Sequence, residues 1–183
     1  RSVRLSGYDY RWPGAYFMTI CTHRHRCVLG QVVGEEILCS ELDQIVARCW
    51  RDIPAHFDRA SLGEFVVMPN HLHGIIILAD DRRGTPWRAP TTESFASPVR
   101  GSIPTIVRSF KSAVTHLARQ ASLWGATPFW QRNYYEHVIR DAHEWERIAA
   151  YIASNPALWA LDRLNGAAME PLGAPAPSED GLL

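Results

Sequence analysis

The sequence predicts an α+β fold of the ferredoxin-like, split βαβ class, with an antiparallel sheet and an added C-terminal helix. The first observation is the order of hydrophobic patterns along the chain: strand, helix, strand, strand, helix, strand and then helix. The second is size and composition, since 183 residues of which 46% are hydrophobic suffice for one compact core. The fold class alone leaves the function open, because unrelated activities share it.

The first predicted elements are a strand and a helix. Ala15–Thr22 is a β-branched and aromatic run that follows Pro13-Gly14, which predicts a central strand. From Glu35 to about Asp52 apolar residues recur at helical spacing, and Pro54 ends the pattern. We therefore expect one helix over residues 35–52.

A hairpin and a long loop are predicted next. Leu62–Met68 and His71–Leu78 are apolar runs separated by the turn signal Pro69-Asn70, so we expect two paired strands. Residues 81–101 are rich in Pro, Thr, Ser and Arg and lack an apolar period. This composition predicts a flexible, exposed loop.

The second half of the chain supplies two helices and a strand. Ser102 is a suitable N-cap for a helix whose apolar face runs from Ile103 to Leu117. Tyr134–Arg140 predicts the fourth strand. His143–Ser154 predicts the last helix, which Asn155-Pro156 ends because a residue before proline disfavours helical geometry.

The composition predicts a single domain over residues 1–163 and a disordered tail over residues 164–183, where Ala, Pro, Gly and acidic residues predominate. There is no run of about 20 apolar residues and no signal-like segment, so we expect a cytoplasmic protein without membrane association. The four cysteines form no C-x-x-C pair, which favours reduced thiols. The formal net charge of zero does not by itself indicate a nucleic-acid-binding protein.

Two histidines two positions apart form the main candidate for a metal site. His71 and His73 fall on the same face of a predicted strand, because successive strand side chains alternate. Neutral imidazoles are common ligands of divalent metals. Gly74 lies on the opposite face, and we expect it to leave space beside the pair. An isolated H-x-H is weak evidence, although its position directly after a turn favours a site.

A second set of metal-type donors alternates along the segment that follows the first strand. These donors are Cys21, His23, His25 and Cys27. On an extended segment they would spread over about 20 Å, at about 3.3 Å per residue. Structural zinc needs four donors that converge on a tetrahedron. Zinc binding here is therefore the less favoured alternative, because it requires a sharp bend.

A tyrosine on the last helix is the candidate nucleophile. Tyr151 and Asn155 are four residues apart, so a phenol and an amide share one helical face. The phenol can attack phosphorus while the amide oxygen completes a metal shell. Spacing alone equally allows Tyr151 to pack with Ile148 and Ile152 while Asn155 caps the helix. Two further phenols compete for the role: Tyr134 and Tyr135.

Several motifs occur in one order along the chain. They are Arg4-Leu-x-Gly-Tyr-Asp-Tyr10, Gly14-Ala-Tyr-Phe-Met-Thr-Ile-Cys-Thr22, Met68-Pro-Asn-His-Leu-His-Gly74, Arg108-Ser-Phe-Lys-Ser112, Trp130-Gln-Arg-Asn-Tyr-Tyr-Glu-His-Val-Ile-Arg140 and Tyr151-Ile-x-x-Asn-Pro156. Together they resemble the REP-associated tyrosine transposases, domesticated relatives of the single-tyrosine HUH transposases of bacterial insertion sequences. The resemblance runs from about Arg4 to Asn155.

The resemblance implies a DNA transposase or endonuclease that nicks and rejoins single-stranded, hairpin-forming DNA of the repetitive extragenic palindrome (REP) type. It implies that His71 and His73 hold Mg²⁺ or Mn²⁺ on the scissile phosphate, and that Tyr151 forms a 5′-phosphotyrosine intermediate. Asn155 matches an amide that joins the metal shell in this family. The resemblance also implies a nucleoid-associated, cytoplasmic protein, and leaves both a monomer and a homodimer open.

Substrate contacts are expected from basic and aromatic residues. The expected DNA-binding residues are Arg4, Tyr8, Tyr10, Arg11, Arg108, Lys111 and Arg119. Cationic side chains can follow the phosphate backbone, and aromatic rings can stack on unpaired bases. The alternative for the cations of the second helix is an ordinary solvated face. The alternative for the tyrosines, and for Trp12 beside them, is a latch onto the core.

Two other functions are compatible with the sequence. One is a catalytically idle protein of the HUH fold that binds nucleic-acid hairpins without cutting them. The retention of His71, His73 and Tyr151 argues against it. The other is a ferredoxin-like metal-storage or regulatory protein with zinc on Cys21–Cys27.

Overall fold

The computed structural model describes residues 10–34, 36–80 and 101–165. Most of the predicted loop (residues 81–100) and most of the predicted tail (residues 166–183) lie outside the described residues. Arg4 and Tyr8, two of the expected DNA-binding residues, also lie outside them.

The described chain contains six strands, four α-helices and two 3-10 turns. The strands are β1 (Gly14–Cys21), β2 (Gly30–Val33), β3 (Glu36–Cys39), β4 (Ala60–Met68), β5 (His71–Leu78) and β6 (Tyr135–Ile139). The helices are α1 (Glu41–Arg51), α2 (Ile53–His56), α3 (Ile103–Gln120) and α4 (Ala142–Ser154). The 3-10 turns are His23–His25 and Trp159–Leu161.

Four of the strands form one antiparallel sheet in the order β4-β5-β1-β6, which is the ferredoxin-like arrangement. The predicted fold class is therefore confirmed. The predicted hairpin is β4–β5, whose register pairs Met68 with His71 across the Pro69-Asn70 turn. The two central strands, β5 and β1, bring the H-x-H motif to the middle of the sheet.

The sheet is covered on both faces, and the two layers differ in size. Helices α1 and α3 pack on the face that carries Tyr16, Met18 and Ile76, and they form the main core with it. Helix α4 packs on the other face through Ile148 and Ile152, which join a smaller cluster. The smaller cluster does not cover the end of that face where β1 ends and β5 begins. This end carries the candidate site.

The predicted helix over residues 35–52 is wrong in its first part. Residues 36–39 form β3, which pairs with β2 in a separate two-stranded hairpin. The helix begins after Ser40, whose hydroxyl accepts a hydrogen bond from the backbone N–H of Asp43. An N-cap serine of this kind fixes the start of a helix. The apolar Ile37 and Leu38 fit helical spacing but lie opposite Val32 and Gln31 in the hairpin.

Gly74 does not leave open space beside the histidines, contrary to the expectation from the sequence. The indole of Trp50 fills that place, and a Cβ added at Gly74 would lie 2.5 Å from the Trp50 Cζ2 atom. Trp50 is fully buried and belongs to α1. The glycine therefore serves the packing of α1 on the sheet, on the face opposite the candidate site.

Within the described ranges, none of the helices combines the length and the apolar character that a membrane crossing requires.

Candidate metal and nucleophile site

One row across the sheet brings the candidate residues together. In this row Thr19 of β1 lies opposite His73 of β5 on one side and Tyr135 of β6 on the other. His71 follows two positions away on the same face, and the two imidazole centroids are 4.4 Å apart. Both histidines are buried. The pair predicted from alternation along a strand thus faces the open part of the sheet, next to α4.

Asn70 determines which nitrogen His71 presents to the site. Its Nδ2 donates to the carbonyl oxygens of Leu164 at 2.6 Å and His25 at 3.2 Å. Its Oδ1 must therefore accept, and it lies 2.8 Å from Nδ1 of His71. Because Nδ1 carries the hydrogen, the lone pair of His71 is on Nε2. This second ring nitrogen is buried and has no hydrogen-bond partner among the described residues.

His73 is oriented in the same way. Its Nδ1 lies 2.9 Å from the hydroxyl of Thr19, and its Nε2 lies 3.2 Å from the hydroxyl of Tyr151. A hydrogen bond to the Met18 backbone raises the pKa of the His73 ring. In the tautomer with its hydrogen on Nδ1, Nε2 of His73 accepts from the phenol. In that tautomer both histidines direct an Nε2 lone pair toward the site.

Burial keeps both imidazoles neutral. Desolvation, and to a smaller extent the neighbouring His73, lower the pKa of His71 to about 2. Desolvation also lowers the pKa of His73 to about 4, against a smaller opposing effect of Asp162. Neutral imidazole is the form that binds a metal. The pair is thus ready to bind a cation at neutral pH without losing protons.

Tyr151 projects from α4 into the open part of the face rather than into the core. It is 41% exposed, whereas Ile148 and Ile152 on the same helix are buried. The alternative in which Tyr151 packs with these isoleucines is therefore not the observed one. Burial of the phenol raises its pKa, as does the charge of Asp162, while a hydrogen bond from Asn155 lowers it.

Three buried polar atoms of this region have no hydrogen-bond partners among the described residues. They are Nε2 of His71, Oδ1 of Asn155 and Oδ2 of Asp162. Asp162 follows the second 3-10 turn, and its Oδ2 lies 3.8 Å from Nε2 of His71. Buried polar atoms are normally satisfied, so such a group calls for an explanation. A cation that accepts their lone pairs would supply one.

The donor set fits a divalent cation. One ligand atom each from His71, His73 and Asp162 lies within 4.8 Å of the others. Two imidazole nitrogens and a carboxylate are a common set for divalent first-row metals. Asn155 is 2% exposed and ends α4 as its C-cap. The structure thus brings together the four residues that sequence and tertiary contacts nominate.

Asp162 was not anticipated from the sequence, and the segment that carries it belongs to the fold. Trp159 packs against His71, with ring centroids 6.1 Å apart. The carbonyl oxygen of Leu164 accepts a hydrogen bond from the side-chain amide of Asn70. Leu164 and Asn165 are described as well and follow directly on residue 163, where the sequence predicts the end of the domain. Asp162 lies beyond α4 in a segment without a recognisable sequence motif. Nothing in the local sequence therefore distinguishes it from an ordinary surface aspartate.

The alternating Cys/His segment does not form a comparable cluster. It is not extended, because His23–His25 is a 3-10 turn with positive φ at Arg24 and His25. Cys21 is buried and Cys27 is exposed, and all four cysteines are free. Across the part of the chain that the structure describes, the cluster of three or more such donors is His71, His73 and Asp162. The zinc alternative therefore has no geometric support there.

Comparison with known proteins gives one relative in sequence. An uncharacterized protein of Haemophilus influenzae is 41% identical over 167 residues, which span 90% of this chain and 92% of the relative. The chain belongs to the family of that protein. A search against protein-family models gives no match.

One solved structure identifies the fold. A REP-associated tyrosine transposase bound to a REP hairpin aligns with a TM-score of 0.57 at 18% identity, over 89% of this chain and 76% of that one. A candidate transposase of Deinococcus radiodurans aligns at 20% identity with a TM-score of 0.45, over 82% of this chain and 95% of the other. The chain has the fold of the REP-associated tyrosine transposase, as the sequence motifs predict.

The residues of this chain that we expect from the sequence to bind DNA lie in different environments. Arg108 and Arg119 are exposed on α3, although Nε of Arg119 donates to the carbonyl of Gly125 at 3.1 Å. The ammonium of Lys111 is used inside the protein, since it donates to the carbonyls of Gln131 at 2.9 Å and Asn133 at 3.1 Å. Burial lowers the pKa of Lys111 to about 8.

The aromatic segment before β1 behaves as a latch where it is described. Tyr10 is only 4% exposed, and its carbonyl accepts from the N–H of Ile103 at the start of α3. A base-stacking role for Tyr10 is therefore corrected, because its ring is packed in the core. Arg11 is partly exposed, and Trp12 is half exposed.

Proposed function

We propose that this chain is a divalent-metal-dependent endonuclease and strand transferase for single-stranded, hairpin-forming DNA, acting through a covalent link to Tyr151. The observation that carries the proposal is the 3.2 Å distance between the Tyr151 hydroxyl and Nε2 of His73. A nucleophilic phenol and the imidazole of His73 thus share one cleft, and the imidazole of His71 lies directly beside that of His73. Histidines with a purely structural role in the core would not require a half-exposed tyrosine hydroxyl at hydrogen-bond distance.

Each residue has a distinct role in this proposal. His71, His73 and Asp162 hold the cation, and the amide oxygen of Asn155 completes the set of ligands. A bound divalent cation would polarise the scissile phosphate and offset the charge that builds on its oxygens. We propose Mg²⁺ or Mn²⁺, of which Mn²⁺ has the greater affinity for nitrogen-containing sites.

The chemistry is an exchange of one phosphoester for another. Tyr151 loses its phenolic proton, and its oxygen bonds to the phosphorus. The bond from phosphorus to the 3′ oxygen breaks, and that oxygen takes up a proton. The products are a 5′-phosphotyrosine link and a free 3′-hydroxyl. Because the ester bond is conserved, attack by a 3′-hydroxyl on the phosphotyrosine rejoins strands at the same site.

The phenol must change its hydrogen-bond partner during this cycle. In the structure its oxygen lies 3.2 Å from Nε2 of His73, and it donates to that lone pair when the hydrogen of His73 is on Nδ1. That lone pair cannot hold a cation and accept the phenolic hydrogen together. Tyr151 therefore has to exchange this acceptor when the site is loaded, which leaves its oxygen free to approach a phosphate.

The proposed substrate is DNA of the REP type. The solved transposase with this fold is bound to a REP hairpin. The exposed Arg108 and Arg119 supply cations for a phosphate backbone on α3. A cytoplasmic, nucleoid-associated location would follow from such a substrate, and the proposal holds for either a monomer or a homodimer.

The experiment that tests the proposal is covalent capture of DNA by the purified chain. The probe is a labelled DNA hairpin with randomised single-stranded flanks, incubated with Mn²⁺ or Mg²⁺ and resolved on a denaturing gel. We expect an adduct that EDTA prevents. Tyr151→Phe should reduce it by about 10³-fold or more, because the nucleophile is removed, while hairpin binding stays within about twofold.

Tyr135→Phe is the matched control, since Tyr135 lines the same cleft and is also partly exposed. This variant should retain the adduct. An adduct that survives in Tyr151→Phe and is lost in Tyr135→Phe would overturn the choice of nucleophile. Tight hairpin binding with no adduct under either metal would instead favour the catalytically idle binding protein.

A further inference from the structure

The site opens into a cleft of about 990 Å³, and the large apolar side chains that are exposed among the described residues are concentrated there. Seven large apolar side chains are exposed in the described residues, and four of them line this cleft. The four are Tyr135, Tyr151, Leu158 and Leu161. Exposed apolar groups gathered in a concave surface mark a binding site rather than chance exposure. The proposed chemistry uses only Tyr151 of the four.

Tyr135 occupies a fixed place relative to the site. It lies two strands from His73 in the same row of the sheet, with Thr19 between them, so the two backbones are about 10 Å apart. Its ring meets Phe17 edge to face, with centroids 6.3 Å apart. Phe17 in turn contacts the ring of Tyr151 at 6.2 Å. Tyr135 is thus held by Phe17 and remains 49% exposed to the cleft.

The charge of the cleft complements a phosphodiester. Two arginines line it, Arg147 from α4 and Arg163 from the segment after Asp162. Arg147 is mostly exposed, although its guanidinium is also 3.5 Å from Glu144. Asp162 is the acidic residue among the described lining residues, and its carboxylate faces the histidines. The open part of the cleft is therefore cationic, beside an exposed aromatic ring.

We infer that Tyr135 is the stacking platform for one unpaired nucleobase next to the phosphate that Tyr151 attacks, with Arg147 and Arg163 on adjoining phosphates. A nucleotide presents both a flat π-face and an anionic phosphate, and the cleft offers a partner for each. The inference rests on the proposed function for the identity of the strand. It assigns a role to a tyrosine that the cleavage chemistry does not use.

The test is a coupling measurement between the protein and single bases. The DNA is the hairpin with defined single-stranded flanks, in which one flank position at a time is made abasic. Dissociation constants are measured by fluorescence anisotropy in the Tyr151→Phe background, so that no cleavage intervenes. At one flank position the abasic site should weaken binding by about 5- to 100-fold, which is the loss of one base–aromatic stack.

The decisive comparison uses Tyr135→Leu and Tyr135→Phe. At that same position Tyr135→Leu should show no further loss on removing the base, because the stack is already absent, while Tyr135→Phe should behave as the parent. Matching melting temperatures establish that the variants are folded. Equal losses at every position in parent and Tyr135→Leu would overturn the inference. Because only binding is measured, this outcome is distinct from a missing covalent adduct, which would overturn the cleavage proposal.

Discussion

At the scale of single residues, the direction of a histidine lone pair depends on one amide. Asn70 donates to two carbonyls that are distant in sequence, and this forces its oxygen toward Nδ1 of His71. One of those carbonyls belongs to Leu164, two residues beyond Asp162. The same amide therefore orients His71 and holds the segment that carries the carboxylate.

We predict that Asn70→Ala weakens Mn²⁺ binding by about 10- to 100-fold, the usual effect of losing a partner behind a metal ligand. Without that partner His71 can carry its hydrogen on either ring nitrogen. The hydrogen bond from Asn70 to Leu164, which holds the segment that carries Asp162, is also lost. Isothermal titration of the metal-free chain with Mn²⁺ measures the effect directly.

Asn70→Asp and Asp162→Asn serve as the comparison variants. Asn70→Asp keeps an acceptor for Nδ1 of His71 and should retain more affinity than Asn70→Ala. Asp162→Asn should weaken binding because a charged ligand is lost. Unchanged Mn²⁺ affinity in Asn70→Ala would show that His71 does not depend on this amide.

At the scale of elements, a partly buried cation connects α3 to the segment that precedes the strand of Tyr135. The ammonium of Lys111 donates to carbonyls within residues 131–133, directly before β6. It also lies 5.4 Å from the centre of the Tyr134 ring. The wall of the cleft that β6 provides is therefore set by a contact from the opposite layer of the protein.

We predict that Lys111→Met lowers the free energy of unfolding by about 1–3 kcal/mol, because carbonyl acceptors in a partly buried place lose their donor. Urea unfolding followed by circular dichroism measures it. Arg108→Met is the matched control on the same helix, and its exposed position predicts a change within about 0.5 kcal/mol.

The alternative for Lys111 is the phosphate contact expected from the sequence. In that case Lys111→Met would leave stability unchanged, weaken DNA binding for all sequences, and reduce the salt dependence of binding by about one unit of slope. This combination of results would contradict the internal role.

At the scale of the whole molecule, the sheet separates a packing layer from a site layer, and adjacent residues of β5 serve opposite layers. His73 faces the cleft, while the next residue, Gly74, faces the indole of Trp50. Helix α1 can approach the sheet closely only because no side chain stands at that point. The position of the site histidines thus depends on packing on the far side of the sheet.

We predict that Gly74→Ala destabilises the protein by about 1–3 kcal/mol through overpacking. The added methyl would lie 2.5 Å from Trp50 and 3.0 Å from the Cβ of Phe65, and buried neighbours can yield only by shifting backbone or rotamers. Thermal unfolding should show a melting temperature several degrees lower. Gly125→Ala, where an added Cβ meets nothing within 4 Å, is the control and should melt as the parent does. Equal melting temperatures for both variants would contradict this account of the layer packing.

The sequence by itself determined the four strands of the main sheet, the two long helices after residue 100, and the nomination of His71, His73, Tyr151 and Asn155. These follow from local periodicity, turn residues and motif order, which are properties of neighbouring positions. Only the tertiary structure decided that Ile37 and Leu38 form a strand, that Tyr10 is a core latch, and that Lys111 bonds internally.

The tertiary structure alone also brought Asp162 to the site and placed Leu164 against Asn70. Tyr151 and His73 are 78 positions apart, and Asn70 and Leu164 are 94 apart. Contacts across such separations depend on how the sheet, α4 and the returning C-terminal segment pack together. A local sequence pattern does not determine that packing. The sequence could therefore predict the metal-binding pair and the nucleophile, but not the carboxylate beside them.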